Sequence, residues 1–380
     1  MDEDGNPLQY SLNDIVGVYR DNSGALVSIK TPYRELLDKR EIKRKDARKN
    51  WETIERIKDL KEGYMSQVIH HIAKLMVKYN AIIVMEDLNS GFKNSRVKIE
   101  KQVYQKFEKL LINKLNYMIF KDLPEKEPGG LYKAFQMTNK FESFKRMTRQ
   151  NGFVFYVPPW NTSRIDPVTG FVDLLKPKYT NIPDARSFFS KFDSISFNSQ
   201  SDYFEFEFDY SQFTEKANGT RTRWTVCTYG NERYTYNRSL NGGLGGYEKW
   251  NVTEKLKSLF DNVSIYYNSE ENLIPQIISQ ENSAFFLELI KNLKITLALR
   301  YSDGNDRDFI LSPVSNEGRF FYSEECEKTL PQDGDANGAF HIARKGLCLL
   351  KKIDLMEDLK KPDLKISNKE WLSFVQTRLV

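Results

Sequence analysis

Two acidic residues, far apart in the chain, have the side-chain type and the setting expected for metal-assisted hydrolysis. Glu86 directly follows the apolar run Ala81-Ile82-Ile83-Val84-Met85, and Asp335 lies within Asp333-Gly334-Asp335-Ala336-Asn337. Carboxylate oxygens bind hard cations such as Mg²⁺, and two acids that converge on a cation are the minimum for phosphodiester chemistry. A plainer interpretation stays open for each residue: Glu86 as a turn acid and Asp335 as the N-cap of a helix.

Arg300 is a third candidate. It closes a helical pattern over 285–299 and precedes three aspartates, Asp303, Asp306 and Asp308. Its guanidinium could compensate the negative end of the helix dipole or contact a phosphate. The sequence favours neither interpretation.

Other catalytic chemistries find little support in the sequence. The chain has three histidines, His70, His71 and His341, and packing in the core or at the surface explains all three. It contains no Walker loop, dinucleotide fingerprint, Cys-His zinc spacing or Gly-x-Ser-x-Gly elbow. Three scattered cysteines are too few for a disulfide framework or a thiolate metal site, which fits a reducing cytoplasm.

The segments that must hold the candidate residues predict a mixed α/β fold. Apolar residues at spacings of three and four predict an amphipathic helix over 64–79 that stops at Asn80, and a buried strand follows over 81–85. A second buried strand is predicted over 153–157. Glu86 would then lie at the carboxyl end of a sheet strand, where the sites of α/β proteins tend to form.

Two further helices and one aromatic segment complete this pattern. Residues 34–61 carry many charges around one apolar stripe with Trp51, which predicts a long exposed helix. A helix is predicted over 341–350, after the glycine-containing run that includes Asp335. From Pro159 the composition becomes acidic, aromatic and rich in turns, which indicates an inserted α+β domain.

Charge is unevenly distributed over the 380 residues. Residues 159–332 carry 19 Lys and Arg against 24 Asp and Glu, whereas the rest of the chain carries 38 against 28. Excess positive charge favours a polyanionic partner, because bound phosphates release counterions, although a solvated lysine-rich surface would also explain it. The length suits two or three packed units, and no apolar run is long enough to span a bilayer.

Several longer runs of residues, spread in order over essentially the whole chain, match one family. These runs are Leu37-Asp38-Lys39-Arg40-Glu41, Lys61-Glu62-Gly63-Tyr64-Met65-Ser66-Gln67-Val68, Met85-Glu86-Asp87-Leu88-Asn89-Ser90-Gly91-Phe92-Lys93, Val103-Tyr104-Gln105-Lys106-Phe107-Glu108-Lys109, Gln136-Met137-Thr138-Asn139-Lys140-Phe141-Glu142, Pro167-Val168-Thr169-Gly170-Phe171-Val172 and Asp335-Ala336-Asn337-Gly338-Ala339-Phe340-His341. The chain resembles the type V-A CRISPR effector nucleases, the Cas twelve-a family. The resemblance implies the C-terminal nuclease part of an RNA-guided DNA endonuclease that serves in antiviral defence.

For the fold, the resemblance implies a RuvC domain with an RNase H-like mixed sheet and flanking helices, interrupted by an α+β Nuc domain. It divides the chain into RuvC strands over 1–35, a bridge helix over 36–61, a part with the second RuvC motif and a lid over 62–158, the Nuc domain over 159–332, and the third RuvC motif over 333–380.

Single residues also take roles from the resemblance. Glu86 resembles the acid of the second RuvC motif and Asp335 that of the third, and both would hold Mg²⁺ in a two-metal site. Arg300 and Asp308 resemble Nuc residues associated with cleavage of the DNA strands. The residues expected to contact nucleic acid are Lys93, Arg96, Lys98, Lys43 and Arg44. Trp51 resembles the tryptophan that anchors the bridge helix in the recognition lobe.

One motif of the family does not occur here. Its first RuvC motif, an Asp-Arg-Gly run on the opening strand, is absent from the sequence, and residues 2–14 match in character the stretch that follows it. We therefore expect the two-metal site to be incomplete and the chain alone to be inactive or nearly so.

The expected partners are the guide crRNA, the target DNA and the missing N-terminal part of the effector, in the prokaryotic cytoplasm and away from membranes. Whether this chain is itself an enzyme stays open at this point. The alternatives are a non-catalytic nucleic-acid-binding fragment or one subunit of a split effector. A steep loss of affinity for nucleic acid as the salt concentration rises would distinguish either of these from a purely structural protein.

Overall fold

The chain forms a mixed α/β structure of helices and small sheets, divided into two units, Met1–Pro158 and Pro159–Val380. Each unit has its own hydrophobic core. The computed structural model describes residues 18–20, 26–28, 32–49, 58–87, 98–139, 150–215, 221–230, 233–267, 271–304, 307–356 and 363–377.

The first unit combines short strands with three longer helices. In chain order these elements are β1 (Val18–Arg20), β2 (Leu26–Ser28), α1 (Pro32–Lys49), α2 (Lys58–Lys78), β3 (Ile83–Glu86), α3 (Lys98–Asn116), β4 (Gln150–Asn151) and β5 (Val154–Val157). β1 and β2 form an antiparallel pair.

The sheet that ends in Glu86 has the order β3-β5-β4. β3 runs parallel to β5, with Glu86 opposite Val157, and β4 is antiparallel to β5. Ile69 of α2 and Leu111 of α3 are buried with Val154 in the core of this unit. Both strands predicted from the apolar runs are confirmed, and the parallel pairing is what a helix between two buried strands indicates.

The predicted helix stop at Asn80 is also confirmed. α2 ends at Lys78, and Asn80 has a φ of 49°, a left-handed conformation that asparagine tolerates better than most residues. The long helix predicted over 34–61 is met in part, since α1 ends at Lys49 and α2 begins at Lys58. Residues 50–57, which include Trp51, lie outside the described residues.

The second unit is richer in antiparallel strands. Its elements are α4 (Ile182–Phe189), β6 (Phe192–Asn198), β7 (Tyr203–Asp209), β8 (Arg223–Cys227), β9 (Arg233–Asn237), β10 (Gly246–Trp250), α5 (Val252–Asp261), α6 (Ile274–Ile278), α7 (Ser283–Leu297), β11 (Arg300–Ser302), β12 (Asp308–Asn316), β13 (Arg319–Tyr322), α8 (Gly334–Asp354) and α9 (Asn368–Gln376), with 3₁₀ turns at Thr162–Arg164, Tyr210–Gln212 and Asn241–Gly243. Across the described part of both units, no helix combines the length and apolar composition needed to cross a bilayer.

Aromatic side chains dominate the core of the second unit. The sheet β6-β7-β8 is antiparallel, and Phe204, Phe206 and Phe208 of β7 are fully buried while the residues between them are not. This alternation is the one that the sequence predicts for 203–208. β11, β12 and β13 form a second antiparallel sheet, and β9 and β10 form a hairpin.

The helix that contains Asp335 begins earlier than its apolar pattern indicates. α8 starts at Gly334 rather than near His341, with Asp333 as its N-cap. Two glycines, Gly334 and Gly338, lower the intrinsic helix propensity of this stretch, so the pattern alone predicts a later start. Packing against the 3₁₀ turn at Thr162–Arg164 and against β12 outweighs that cost.

Candidate active site

Three of the sequence-predicted residues meet in the second unit around one guanidinium. Arg300 Nε donates to Asp308 Oδ1 at 2.8 Å, and Arg300 Nη2 donates to Asp308 Oδ2 at 2.5 Å. Nη2 also donates to Asp335 Oδ1 at 2.8 Å. Because the Asp308 contact is bidentate, it fixes the plane of the guanidinium as well as its position. We call Arg300, Asp308 and Asp335 the arginine cluster.

Strand register and helix packing bring these residues together. β11 and β12 pair antiparallel, with Ser302 opposite Asp308, so Arg300 and Asp308 lie near the same end of the sheet. Asp335 comes from the first turn of α8, 35 residues beyond Arg300. The convergence therefore depends on where α8 packs.

Gly334 lets α8 approach the cluster closely. A Cβ at this position would lie 2.3 Å from Arg300 Nε and 2.7 Å from Asp308 Oδ1, both far below van der Waals contact. Only glycine leaves space for the guanidinium there. A side chain at residue 334 would displace the ion pair.

The cluster leaves part of the arginine available to a ligand. Asp308, followed by the favourable contact with Asp335, raises the pKa of the Arg300 guanidinium, despite the opposing effect of partial burial. Within the described chain Nη1 donates no hydrogen bond, and the Arg300 side chain is 34% exposed. The Asp335 side chain is 89% exposed. An anion that reaches the cluster would therefore meet a permanently charged, oriented donor.

The start of α8 is held by one backbone carbonyl. Asn337 Nδ2 donates to Ile165 O at 2.9 Å, and His341 Nε2 lies 3.1 Å from the same oxygen. Burial, with smaller contributions from Arg344 and Lys345, lowers the pKa of His341 to about 3. The imidazole is therefore neutral near pH 7, and Nε2 carries the proton that it donates.

Asp166, which follows Ile165 in the chain, holds the turn formed by Pro167, Val168, Thr169 and Gly170. It is fully buried and accepts from the backbone N–H groups of Val168 and Thr169 at 2.8 and 3.2 Å. It also accepts from Thr169 Oγ1 and from Ser312 Oγ, both at 2.6 Å. Burial raises its pKa, and these four donors oppose that shift. Ser312 belongs to β12, so this carboxylate ties the turn to the strand of Asp308.

Glu86 lies in the first unit in a different environment. It ends β3, and its backbone oxygen accepts from Tyr104 Oη at 2.7 Å. The next residue, Asp87, is 4% exposed, and its N–H donates to Val157 O at 2.8 Å. Tyr156 Oη donates to Glu108 Oε1 at 2.5 Å. Burial raises the pKa of Glu108, Asp87 adds to the rise, and the Tyr156 hydroxyl opposes it.

The structure bears on the plainer interpretations of Asp335 and Arg300, a helix cap and a contact with the end of a helix. The N-cap of α8 is Asp333, whose side chain accepts from Ala336 N at 2.6 Å, so Asp335 is not the cap. Arg300 lies on β11 beyond the end of α7 at Leu297, and its side-chain hydrogen bonds go to carboxylates rather than to helix carbonyls.

The other predicted residues are placed only in part. Lys43 is exposed and Arg44 half-buried on α1, and Lys98 is the first residue of α3. Lys93, Arg96 and Trp51 lie outside the described residues.

Sequence reasoning missed Asp333, Gly334 and Asp166. An Asp two residues before Asp335 signals a helix cap, and an Asp before Pro-Val-Thr-Gly signals an Asx turn.

Glu86 and Asp335 have the donor chemistry that Mg²⁺ prefers, since both offer carboxylate oxygens. Asp335 gives one oxygen to Arg300 and is otherwise open to solvent. Among the residues that the structure describes, no three His, Cys, Asp or Glu side chains gather into a metal-binding group. The donor type thus fits the metal, while a complete ligand set does not form within this described part.

Comparison with protein families identifies the class. A family model described as RuvC nuclease domain matches residues 1–380, the whole chain. The chain therefore belongs to the RuvC nuclease domain family, and its mixed α/β structure is compatible with that fold. Membership of this family indicates a nuclease function.

Proposed function

We propose that this chain is the nuclease portion of a type V-A CRISPR effector, which hydrolyses phosphodiester bonds of DNA under the direction of a guide RNA. In this proposal Arg300 contacts the scissile phosphate, and Glu86 and Asp335 hold Mg²⁺. The five-part division of the chain, with a Nuc domain over 159–332, and the prokaryotic cytoplasmic setting belong to the same proposal. Its support is the ordered set of motif runs together with membership of the RuvC family.

The arginine cluster is the observation that carries the proposal. A bidentate carboxylate orients Arg300, and Nη1 is left for a further acceptor. A phosphate oxygen placed against Nη1 would gain a charge-assisted hydrogen bond from a donor that needs no reorientation. Arg300 would thereby stabilise the negative charge that develops on the phosphate as the bond breaks.

Asp335 serves two purposes in this arrangement. One oxygen accepts from Arg300, which holds the guanidinium on its second side. The exposed remainder of the carboxylate is available to a cation. When bound, magnesium would activate the attacking water and stabilise the leaving oxygen. We propose that a segment with the Asp-Arg-Gly motif must supply a further carboxylate, and that the chain without it is nearly inactive.

The test is cleavage of a labelled DNA by the full chain, combined with guide RNA and a polypeptide that carries the missing motif. We expect Arg300→Ala to lower kcat by about 10²–10³-fold, the usual effect of removing one oriented charge-stabilising donor. Arg319→Ala is the matched control, since Arg319 is an exposed arginine of β13 in the same unit. Equal rates for the two variants would refute the role of Arg300.

The same assay separates the enzyme from the alternatives. Recovered cleavage that Glu86→Ala abolishes would assign the first-unit acid, and recovery only with the added polypeptide would support a split arrangement. Salt-sensitive DNA binding without cleavage in any combination would support a non-catalytic binding fragment. Strong magnesium-dependent cleavage by the chain alone would contradict the expected inactivity.

A further inference from the structure

The hairpin of β9 and β10 presents two exposed tyrosines next to the strand of Arg300. Tyr236 and Tyr247 are cross-strand partners, and their ring centroids lie 5.3 Å apart. They are 53% and 46% exposed. β9 also contacts β11, which carries Arg300. We call Tyr236 and Tyr247 the tyrosine pair.

Both rings pack directly against the backbone of a glycine. A Cβ on Gly245 would lie 2.0 Å from Tyr236 Oη, and one on Gly304 would lie 2.4 Å from Tyr247 Cδ2. Tyr236 Oη also donates to Leu244 O at 3.3 Å. Each ring therefore rests on backbone that has no side chain to displace it. A ligand that stacks on such fixed rings loses little affinity to ordering them.

The tyrosine pair is joined to the arginine cluster through one turn. Gly304, under the Tyr247 ring, lies in the connection between β11 and β12, whose ends carry Arg300 and Asp308. Gly304 lies four positions after Arg300, a distance of at most about 13 Å of extended chain at ~3.3 Å per residue. A strand of nucleic acid with a phosphate at Arg300 could reach the rings within a few nucleotides.

Charge near the tyrosine pair suits a phosphate backbone. Arg238 and Lys249 are exposed, and Lys249 shares the face of Tyr247 because alternate strand residues point the same way. Glu248 points to the other face, where it accepts from Asn237 Nδ2 at 3.1 Å. These cations stand out within a segment, 159–332, that carries an excess of acidic residues.

We propose that the tyrosine pair is a stacking platform for unpaired bases of single-stranded DNA whose backbone passes Arg300. Exposed aromatic rings beside cations are the features by which proteins bind single strands without reading sequence. A duplex would offer no base faces, since its bases are stacked on each other. The proposal rests on the proposed function, because it takes the DNA path from the phosphate at Arg300.

The experiment measures binding of the full chain to a labelled oligodeoxythymidine and to the same strand with abasic sites, in EDTA so that no cleavage is needed. The wild type should bind the strand with bases roughly tenfold or more tighter, because each stacked base contributes about 1–3 kcal/mol. Tyr236→Leu/Tyr247→Leu should lose this preference and leave abasic binding unchanged. Tyr236→Phe/Tyr247→Phe should retain it, since phenylalanine keeps the stacking face.

Tyr266→Leu is the matched control, because Tyr266 is 76% exposed in the same unit and lies outside the hairpin. If the Leu pair lowers the melting temperature, photocrosslinking of 5-iododeoxyuridine strands to the wild type replaces it, with adducts expected on Tyr236 or Tyr247. A base preference that survives the Leu pair, crosslinks only elsewhere, or tighter binding of the RNA counterpart would overturn the proposal. If the base preference is retained but the chain never cleaves DNA, the proposed nuclease role is refuted and the stacking proposal stands.

Discussion

The arginine cluster of the second unit and the strand end at Glu86 in the first unit handle acidic side chains in opposite ways. In the cluster, Asp308 and Asp335 share an internal cation whose pKa they raise. Around Glu86, the described contacts come from tyrosine hydroxyls and backbone groups, and the nearby Glu108 has a raised pKa. One region pairs its carboxylates with a guanidinium, and the other buries the Glu108 carboxyl group beside a tyrosine hydroxyl.

The two regions thus differ in what they hold ready: an oriented arginine in one, and a carboxyl group with a raised pKa in the other. The cluster is organised without any ligand, because bidentate pairing fixes the arginine before a phosphate arrives. Burial, which raises the pKa of the Glu108 carboxyl group, favours its protonated form. The second unit thus holds an oriented cation, whereas the first unit holds a carboxyl group whose neutral form is favoured by burial.

Among variants that keep every charge of the cluster, Gly334→Ala should show the largest effect, because the added methyl group displaces the guanidinium. The added methyl would lie 2.3 Å from Arg300 Nε, so the guanidinium must move. Since a misplacement of about 1 Å can cost about 10²-fold, we expect kcat of the reconstituted nuclease to fall by roughly that factor. KM for DNA should change little, because the charge remains.

Gly338→Ala provides the control for this prediction. A Cβ there meets Ser163 Cβ at 3.7 Å, an ordinary contact, and alanine stabilises a helix interior by about 0.5–1 kcal/mol relative to glycine. Activity should stay at the wild-type level while the melting temperature holds or rises. If both variants were equally active, close approach at residue 334 would have no part in the site.

His341→Gln tests whether the anchor of α8 depends on pH. His341 has a pKa of about 3 in the folded chain against 6.5 for an ordinary histidine, so the unfolded chain alone takes up the proton as pH falls below 6.5. Stability is therefore full above pH 6.5 and is lost toward pH 3, by about 1.4 kcal/mol per pH unit. Glutamine should flatten the slope.

Denaturant unfolding of both proteins between pH 7 and pH 5 measures this difference. The wild type should lose about 2 kcal/mol more than the variant over that range. His70, whose pKa is also lowered, contributes to both proteins alike, so the difference between slopes isolates His341. Parallel slopes would show that the imidazole is not held neutral in the folded chain.

Tyr156→Phe should have the smallest effect and concerns the first unit. Loss of the hydroxyl removes the hydrogen bond to Glu108, which opposes the rise in its pKa, so the pKa of Glu108 should rise further. We expect a loss of about 1 kcal/mol in the free energy of unfolding near pH 7. Because the folded pKa of Glu108 is raised and is higher still in the variant, the loss should diminish as pH falls through these folded pKa values, which lie above the ordinary value of 4.5.

Carboxyl NMR of Glu108 reports this pKa, and Tyr117→Phe, an exposed tyrosine of the same unit, is the control. An unchanged or lowered pKa in Tyr156→Phe would contradict the stabilisation of the Glu108 carboxylate by the Tyr156 hydroxyl. The contrast between the two regions would then no longer hold for the first unit.

Local pattern predicted much of the fold but not all boundaries. The apolar runs at 81–85 and 153–157 indicate strands, and both form, because a continuous apolar run of strand length has few other ways to be buried. The start of α8 was missed, because Gly334 and Gly338 weaken the helical pattern there. The contacts of Asn337 and His341 with Ile165, 172 and 176 residues away in sequence, outweigh that weakness.

The sequence by itself determined that the chain is a RuvC-type nuclease domain, and it located the candidate acids Glu86 and Asp335. It also predicted that Glu86 lies at the end of a strand, since motif runs and apolar periodicity are local properties of the chain. Only the tertiary structure decided that Arg300, Asp308 and Asp335 form one ion-paired cluster. It also decided that Asp333 rather than Asp335 caps the helix. The physical reason is that α8 must pack against β12 before these charges meet, and that approach requires the missing side chain of Gly334.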